Sequence, residues 1–264
     1  MLTLKQAARL PSGAGQRLPG VWSTWEQAGI IRRRGQLHLS AAPPGGYKST
    51  VALIEACKMR VPTLYVWMDG DTYTASVRLI QSLSLIDQAS AEAAYKRRDP
   101  VAMTALDAIP HMRFTFPQSP DIDEIVHHVW AYAEAHGDWP HWLVIDNLMD
   151  IEHDEDEVRG TNRIMGQLAT LARMTNAGVH VLHHVTGEYE QGDLPVPMSG
   201  LRNKVSKKPH QILSACRGAE DGQLWWSVVK NRFGPADPAG MRVRAPLWVD
   251  GFSLNVWDQP TGAT

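Results

Sequence analysis

Lys48-Ser49-Thr50 closes the stretch LHLSAAPPGGYKST, residues 37–50. An ammonium group beside a hydroxyl at the start of a helix is chemistry for phosphate. Backbone N–H groups ring the anion, the lysine meets the outer phosphates and the hydroxyl faces Mg²⁺. The spacing G-x-x-x-x-G-K-[ST] falls on Ala42-Pro43-Pro44-Gly45-Gly46-Tyr47-Lys48-Ser49, so both defining glycines are replaced. On the octapeptide alone, a Pro/Gly turn capping a core helix is the simpler reading. The strand pattern before it and the helical pattern after it, with Val51, Leu53, Ile54 and Cys57 near one face, restore the phosphate loop. The candidate nucleotide-binding residues are Pro44, Gly45, Gly46, Tyr47, Lys48, Ser49 and Thr50. Tyr47 either takes a helical φ at little cost or closes the loop against nucleotide.

A second carboxylate belongs with this loop. HWLVIDNLMDI, residues 141–151, reads as an apolar strand ending in Asp146, from which a carboxylate can hold Mg²⁺ opposite the Ser49 hydroxyl. The acidic run DIEHDEDE, residues 150–157, reads as a solvated lead-in to a helix, where negative charge is favourable. With Asp146 it could also support a two-metal nuclease site. His153 lies within it without zinc-ligand spacing. Arg202, Lys204, Lys207 and Lys208 form a cationic cluster in a long polar segment, suited to nucleic-acid phosphates or to solvent.

These residues need elements to hold them. Strand-like runs recur at 36–41, 63–68, 112–116, 142–147, 179–185, 212–216, 224–230 and 247–256. Helical patterns fall at about 47–59, 72–85, 89–108, 121–136 and 160–176. Their alternation predicts an α/β fold with a mainly parallel sheet between helices, and antiparallel strands towards the C-terminus. Ligands in such sheets bind beyond the carboxyl ends of the strands. The expected organisation is a leader or linker helix over 1–30, one domain over 31–257 and a flexible tail over 258–264.

Twenty-six basic against 28 acidic residues leave a net charge of −2, so a nucleic-acid contact would rest on a local patch. Cys57 and Cys216 are expected as buried free thiols in a reducing cytosol. No membrane contact is expected, and the expected location is cytoplasmic.

Taken in order along about 30–250, these motifs resemble the RecA-like P-loop ATPase core of the DnaB-type replicative helicases, including their phage-encoded relatives. The matching stretches are the loop begun by alanine, Val144-Ile145-Asp146, Leu182-His183-His184, Pro197-Met198-Ser199-Gly200-Leu201-Arg202, and Lys230-Asn231-Arg232-Phe233-Gly234-Pro235. The resemblance implies ATP and Mg²⁺ as cofactors, single-stranded DNA as partner and a homo-oligomer, a hexameric ring or filament, with replication proteins as further partners. It assigns Asp69 to the carboxylate that activates the attacking water, one methylene shorter than the family's glutamate. It makes His184 the γ-phosphate sensor, usually glutamine, and Lys230 with Arg232 the finger that reaches a neighbouring subunit. Asp71 is read as a helix cap, and His183 as a core histidine bonded to a backbone carbonyl. The expected function is an ATP-hydrolysing helicase or translocase core in replication or recombination. A metal-dependent nuclease or a non-hydrolysing binding member of the same fold stands as the alternative.

Overall fold

The computed structural model describes residues 15–258. The first 14 residues of the expected leader and most of the expected tail lie outside them.

Nine strands form one sheet in the order β3-β2-β4-β5-β1-β6-β7-β8-β9. β1 (Leu37–Ala42), β2 (Thr63–Trp67), β3 (Met112–Thr115), β4 (Trp142–Asp146), β5 (Gly178–His184) and β6 (Gln211–Arg217) run parallel. β7 (Gln223–Asn231), β8 (Arg244–Val249) and β9 (Val256–Trp257) close the C-terminal side antiparallel. All residues of β1, β2 and β4 are buried, as expected of strands covered on both faces. One cover is the helix α2 (Lys48–Met59), which packs Ala52, Leu53 and Ala56 against Tyr65, Trp67, Trp142 and Val144. The other includes α6 (Ile122–His136) and α7 (Glu157–Thr175), whose Ile125, Val129, Leu168 and Ala172 meet Leu39, Val66 and Ile145.

Two expected elements divide. The 89–108 pattern is two helices, α4 (Gln88–Arg97) and α5 (Pro100–Asp107). Pro100 pushes the residue before it out of helical geometry, and the Asp99 side chain accepts the Val101 N–H at 3.0 Å to start α5. The 247–256 pattern breaks at Asp250, whose carboxylate accepts from the Phe252 and Ser253 N–H groups and the Ser253 hydroxyl and folds the chain back between β8 and β9.

Before β1, the five-residue α1 (Ser23–Gln27) sets Trp22 and Trp25 against Trp226, Leu247 and Val256. Arg32 from this segment is buried and pairs with buried Glu55 of α2 at 2.7 and 3.1 Å. Its guanidinium also lies 5.3 and 5.7 Å from the Trp25 and Trp142 rings. This network anchors the start of the described chain to the helix behind the phosphate loop.

Candidate nucleotide site

The loop 43–47 joins the end of β1 to the start of α2. Gly45 has φ +69°, and a Cβ built on it meets nothing within 4 Å. Its open side gives an anion room to approach the backbone. Gly46 turns back, its N–H donating to Pro43 O at 3.0 Å, and a side chain there would strike that same carbonyl. Tyr47 does not take a helical φ. It sits in the left-handed region at φ 56°, ψ 18°, a conformation that explains why glycine is favoured before the lysine in such loops. The residue is 36% exposed and its phenol is directed to the β8–β9 turn, where a Cβ on Gly251 would lie 3.4 Å from the phenol oxygen. The ring is beside the loop rather than within it.

Lys48 and Ser49 open α2, with Ser49 half-buried and Thr50 buried behind it. Asp146, at the carboxyl end of β4, is 1% exposed. Burial raises its pKa, while the Ser49 hydroxyl and the Lys48 ammonium act in the opposite direction. Asp69 follows β2 and is exposed, its charge felt at Asp146, Asp150 and His184. His184, at the end of β5, is lowered to about 4 by burial and then by Lys48 and Arg202, so it is neutral near pH 7. Lys48, Ser49, Asp69, Asp146 and His184 thus converge at the carboxyl ends of four parallel strands, where ligands of such sheets bind.

Two cavities meet at the loop, sharing Gly45, Gly46 and Tyr47. One of about 590 Å³ includes Lys48, Ser49, Asp69 and Arg78 in its lining, with Arg78 5.5 Å from the Trp67 ring. The other, about 930 Å³, adds Arg217, Phe252 and Trp257. Sequence reasoning missed this second wall because it read 247–256 as one strand. Asp250-Gly251 was the signal available.

His183 faces away from the loop, and its Nε2 lies 2.8 Å from the Arg202 carbonyl oxygen. Asp71 caps α3 (Thr72–Ser84), accepting the Thr74 N–H at 2.7 Å.

Lys230 and Arg232 are not near this site. β7 runs antiparallel to β6, so Asn231 pairs with Gln211, itself beside His38 at the start of β1. The finger candidates therefore lie at the opposite end of the parallel strands from the loop, roughly 15–20 Å away at 3.3 Å per strand residue. There Lys230 Nζ donates to the Ser206 and Lys207 carbonyls at 2.5 and 3.2 Å, and Arg232 donates to Lys207 O at 3.3 Å.

The polar segment after β5 is built rather than structureless. Val196, Leu201 and Val205 are buried in the core, and Leu201 bridges Val185. Arg202 pairs with Glu157 at 3.0 Å, and the Lys208 stem passes over Gly166 of α7. Lys204 and Lys207 are exposed. The acidic run is engaged locally: Asp156 caps α7, Glu155 pairs with Arg163 at 3.0 Å and Glu157 holds Arg202. Among the described residues no three His, Cys, Asp or Glu side chains are grouped to hold a metal ion. A hydroxyl and one carboxylate suit Mg²⁺ that arrives with phosphates, because that ion keeps waters and takes few protein ligands.

No protein-family model matches the chain. It is 36% identical over 249 residues to the Gene 65 protein of Mycobacterium phage L5, covering 91% of this chain and 92% of that one. It is 35% identical over 231 residues to the Gene 65 protein of Mycobacterium phage D29, covering 83% and 99%. A DnaB-like replicative helicase, described with its interactions with primase, superposes at TM-score 0.80 with 18% identity over 97% of this chain and 66% of that one. The RadB recombinase gives a TM-score of 0.61 with 17% identity, covering 92% and 100%. The chain belongs to the family of the mycobacteriophage Gene 65 proteins, phage-encoded relatives with the RecA-like core fold of the DnaB-type helicases.

Proposed function

We infer that the protein is an ATP-hydrolysing, RecA-like helicase or translocase core that acts on single-stranded DNA as a homo-oligomer, in replication or recombination. The convergence of Lys48, Ser49, Asp146, Asp69 and His184 around an open glycine turn carries this reading. The catalytic unit is taken as residues 31–257, with Trp22, Trp25 and Ile30 of the preceding segment packed onto it.

The amides of Gly45, Tyr47 and Lys48 bind the β-phosphate and the Lys48 ammonium offsets the charge of the outer phosphates. Ser49 and Asp146 would hold Mg²⁺, which when bound neutralises charge on the β- and γ-phosphate oxygens. Asp69 orients the attacking water and accepts its proton. Neutral His184 donates a hydrogen bond to the γ-phosphate, a contact present only before its release. Lys230 and Arg232, too far to serve their own subunit, supply positive charge to the neighbour's transition state, so a head-to-tail assembly is required. Lys204 and Lys207, with Arg202 once released from Glu157, and Lys208 bind DNA phosphates without reading bases.

The test is ATP hydrolysis with and without single-stranded DNA. The reading requires hydrolysis that rises with DNA and disappears in Lys48→Ala. Metal-dependent DNA cleavage without ATP, kept in Lys48→Ala and lost in Asp146→Ala, would replace it with the nuclease.

A further inference from the structure

Asp146 is gripped from the neighbouring strand at two points. β2 and β4 pair in parallel with Trp67 beside Asp146, and the Met68 N–H donates to the Asp146 carbonyl at 2.8 Å. Three residues earlier on the same strand, the Tyr65 phenol donates to Asp146 Oδ2 at 3.0 Å. Tyr65 is fully buried. Its ring stacks on Phe114 at 5.7 Å between centroids and tilts against Trp67 at 5.4 Å, so the phenol oxygen is held in place by aromatic packing.

A carboxylate has two oxygens, and a metal reached through one of them needs the other tethered. An untethered carboxylate rotates about its last bond and spends its charge in several orientations. Here the tether is a neutral donor from a rigid strand, while the Ser49 hydroxyl also acts on the acid. Asp69 follows the same strand, two residues beyond its last residue Trp67.

We propose that Tyr65 is a positioning residue: its phenol immobilises Oδ2 of Asp146 and leaves the other oxygen aimed beside the Ser49 hydroxyl for a divalent cation. This rests on the reading of Ser49 and Asp146 as the Mg²⁺ pair. A residue that only fills the core would give the same result as phenylalanine, whereas a tether depends on the single phenol oxygen.

The experiment compares wild type, Tyr65→Phe and Phe114→Leu, using Mn²⁺ as the paramagnetic probe in place of Mg²⁺. ATP affinity is measured in EDTA, and the Mn²⁺ half-saturation concentration is then measured at saturating ATP by electron paramagnetic resonance. Tyr65→Phe keeps the ring and is expected to leave ATP affinity in EDTA unchanged while raising the Mn²⁺ half-saturation about tenfold. Phe114→Leu loosens the stacking but spares the oxygen; it is expected to lower the melting temperature and leave the Mn²⁺ midpoint near wild type. An unchanged midpoint in Tyr65→Phe, or an equal shift in both variants, overturns the positioning role and leaves the nucleotide site standing. Wild type that binds no ATP in EDTA and no Mn²⁺ with it overturns the phosphate-loop reading, and the tether with it.

Discussion

Replacing Tyr47 by glycine isolates the departure of this loop from the usual phosphate-binding pattern. The residue occupies φ 56°, where a side chain costs ~1 kcal/mol relative to glycine. Glycine removes that strain but enlarges the unfolded ensemble, a loss of about 0.4–1 kcal/mol. The residue is 36% exposed, so most of its surface is covered, and losing the ring forfeits about 1–2 kcal/mol of burial. The strain and entropy terms nearly cancel, and the variant should melt roughly 2–8 °C below wild type, the shift that this loss produces in a chain of this size. Because the ring points to the Gly251 turn, its removal should also change ATP affinity by less than about tenfold, or ~1.4 kcal/mol. Thermal melts and calorimetric titration read the two numbers on the same samples. A gain of about a hundredfold or more in ATP affinity, or binding that exists only in Tyr47→Gly, would show that the phenol fills the cradle and would refute the reasoning.

Three further outcomes follow from named contacts. Arg32→Ala removes the guanidinium from buried Glu55, leaving it only the imidazole of His180 at 3.7 Å, and should cost about 3–5 kcal/mol, lowering the melting temperature by roughly 10 °C or more; a change of only a degree or two would contradict the burial of the pair. Arg232→Ala and Lys48→Ala should each abolish hydrolysis alone, yet mixing the two proteins should restore part of it, because the first keeps an intact phosphate loop and the second an intact finger; no recovery on mixing would contradict action between subunits. His38, His180 and His183 are all lowered by burial, His183 to about 4. They are neutral in the folded chain and titrate near 6.5 when it unfolds, so the unfolded state binds more protons and stability should fall as pH drops from about 6.5 towards 4. Each contributes up to ~1.4 kcal/mol per pH unit in that window, and urea unfolding at a series of pH values should show stability flat above pH 7 and declining below it.

Much of the candidate site was legible because strand ends and helix starts leave local signatures. The alternating run before the loop, the apolar Trp142–Ile145 before Asp146 and the Lys48-Ser49 pair mark their positions within a few residues. Tyr47 was harder to read, since its side chain argues against the left-handed backbone it adopts, and its phenol meets the Gly251 turn only in the folded chain. The Asp99-Pro100 break and the Asp250-Gly251 turn were present as punctuation within longer periodic runs that masked them. The Arg32–Glu55 pair and the Tyr65–Asp146 bond leave no local signal at all, because each joins segments that meet only when the sheet and its covering helix assemble.

The central claim is that the loop from Pro43 to Thr50 is a nucleotide site. Calorimetric titration of the wild-type protein with ATP and Mg²⁺, beside Lys48→Ala under the same conditions, tests it most directly. Saturable binding near one ATP per chain that is lost or weakened about a hundredfold in Lys48→Ala is the predicted result. Wild type with no binding, or binding equal in the two proteins, would contradict it.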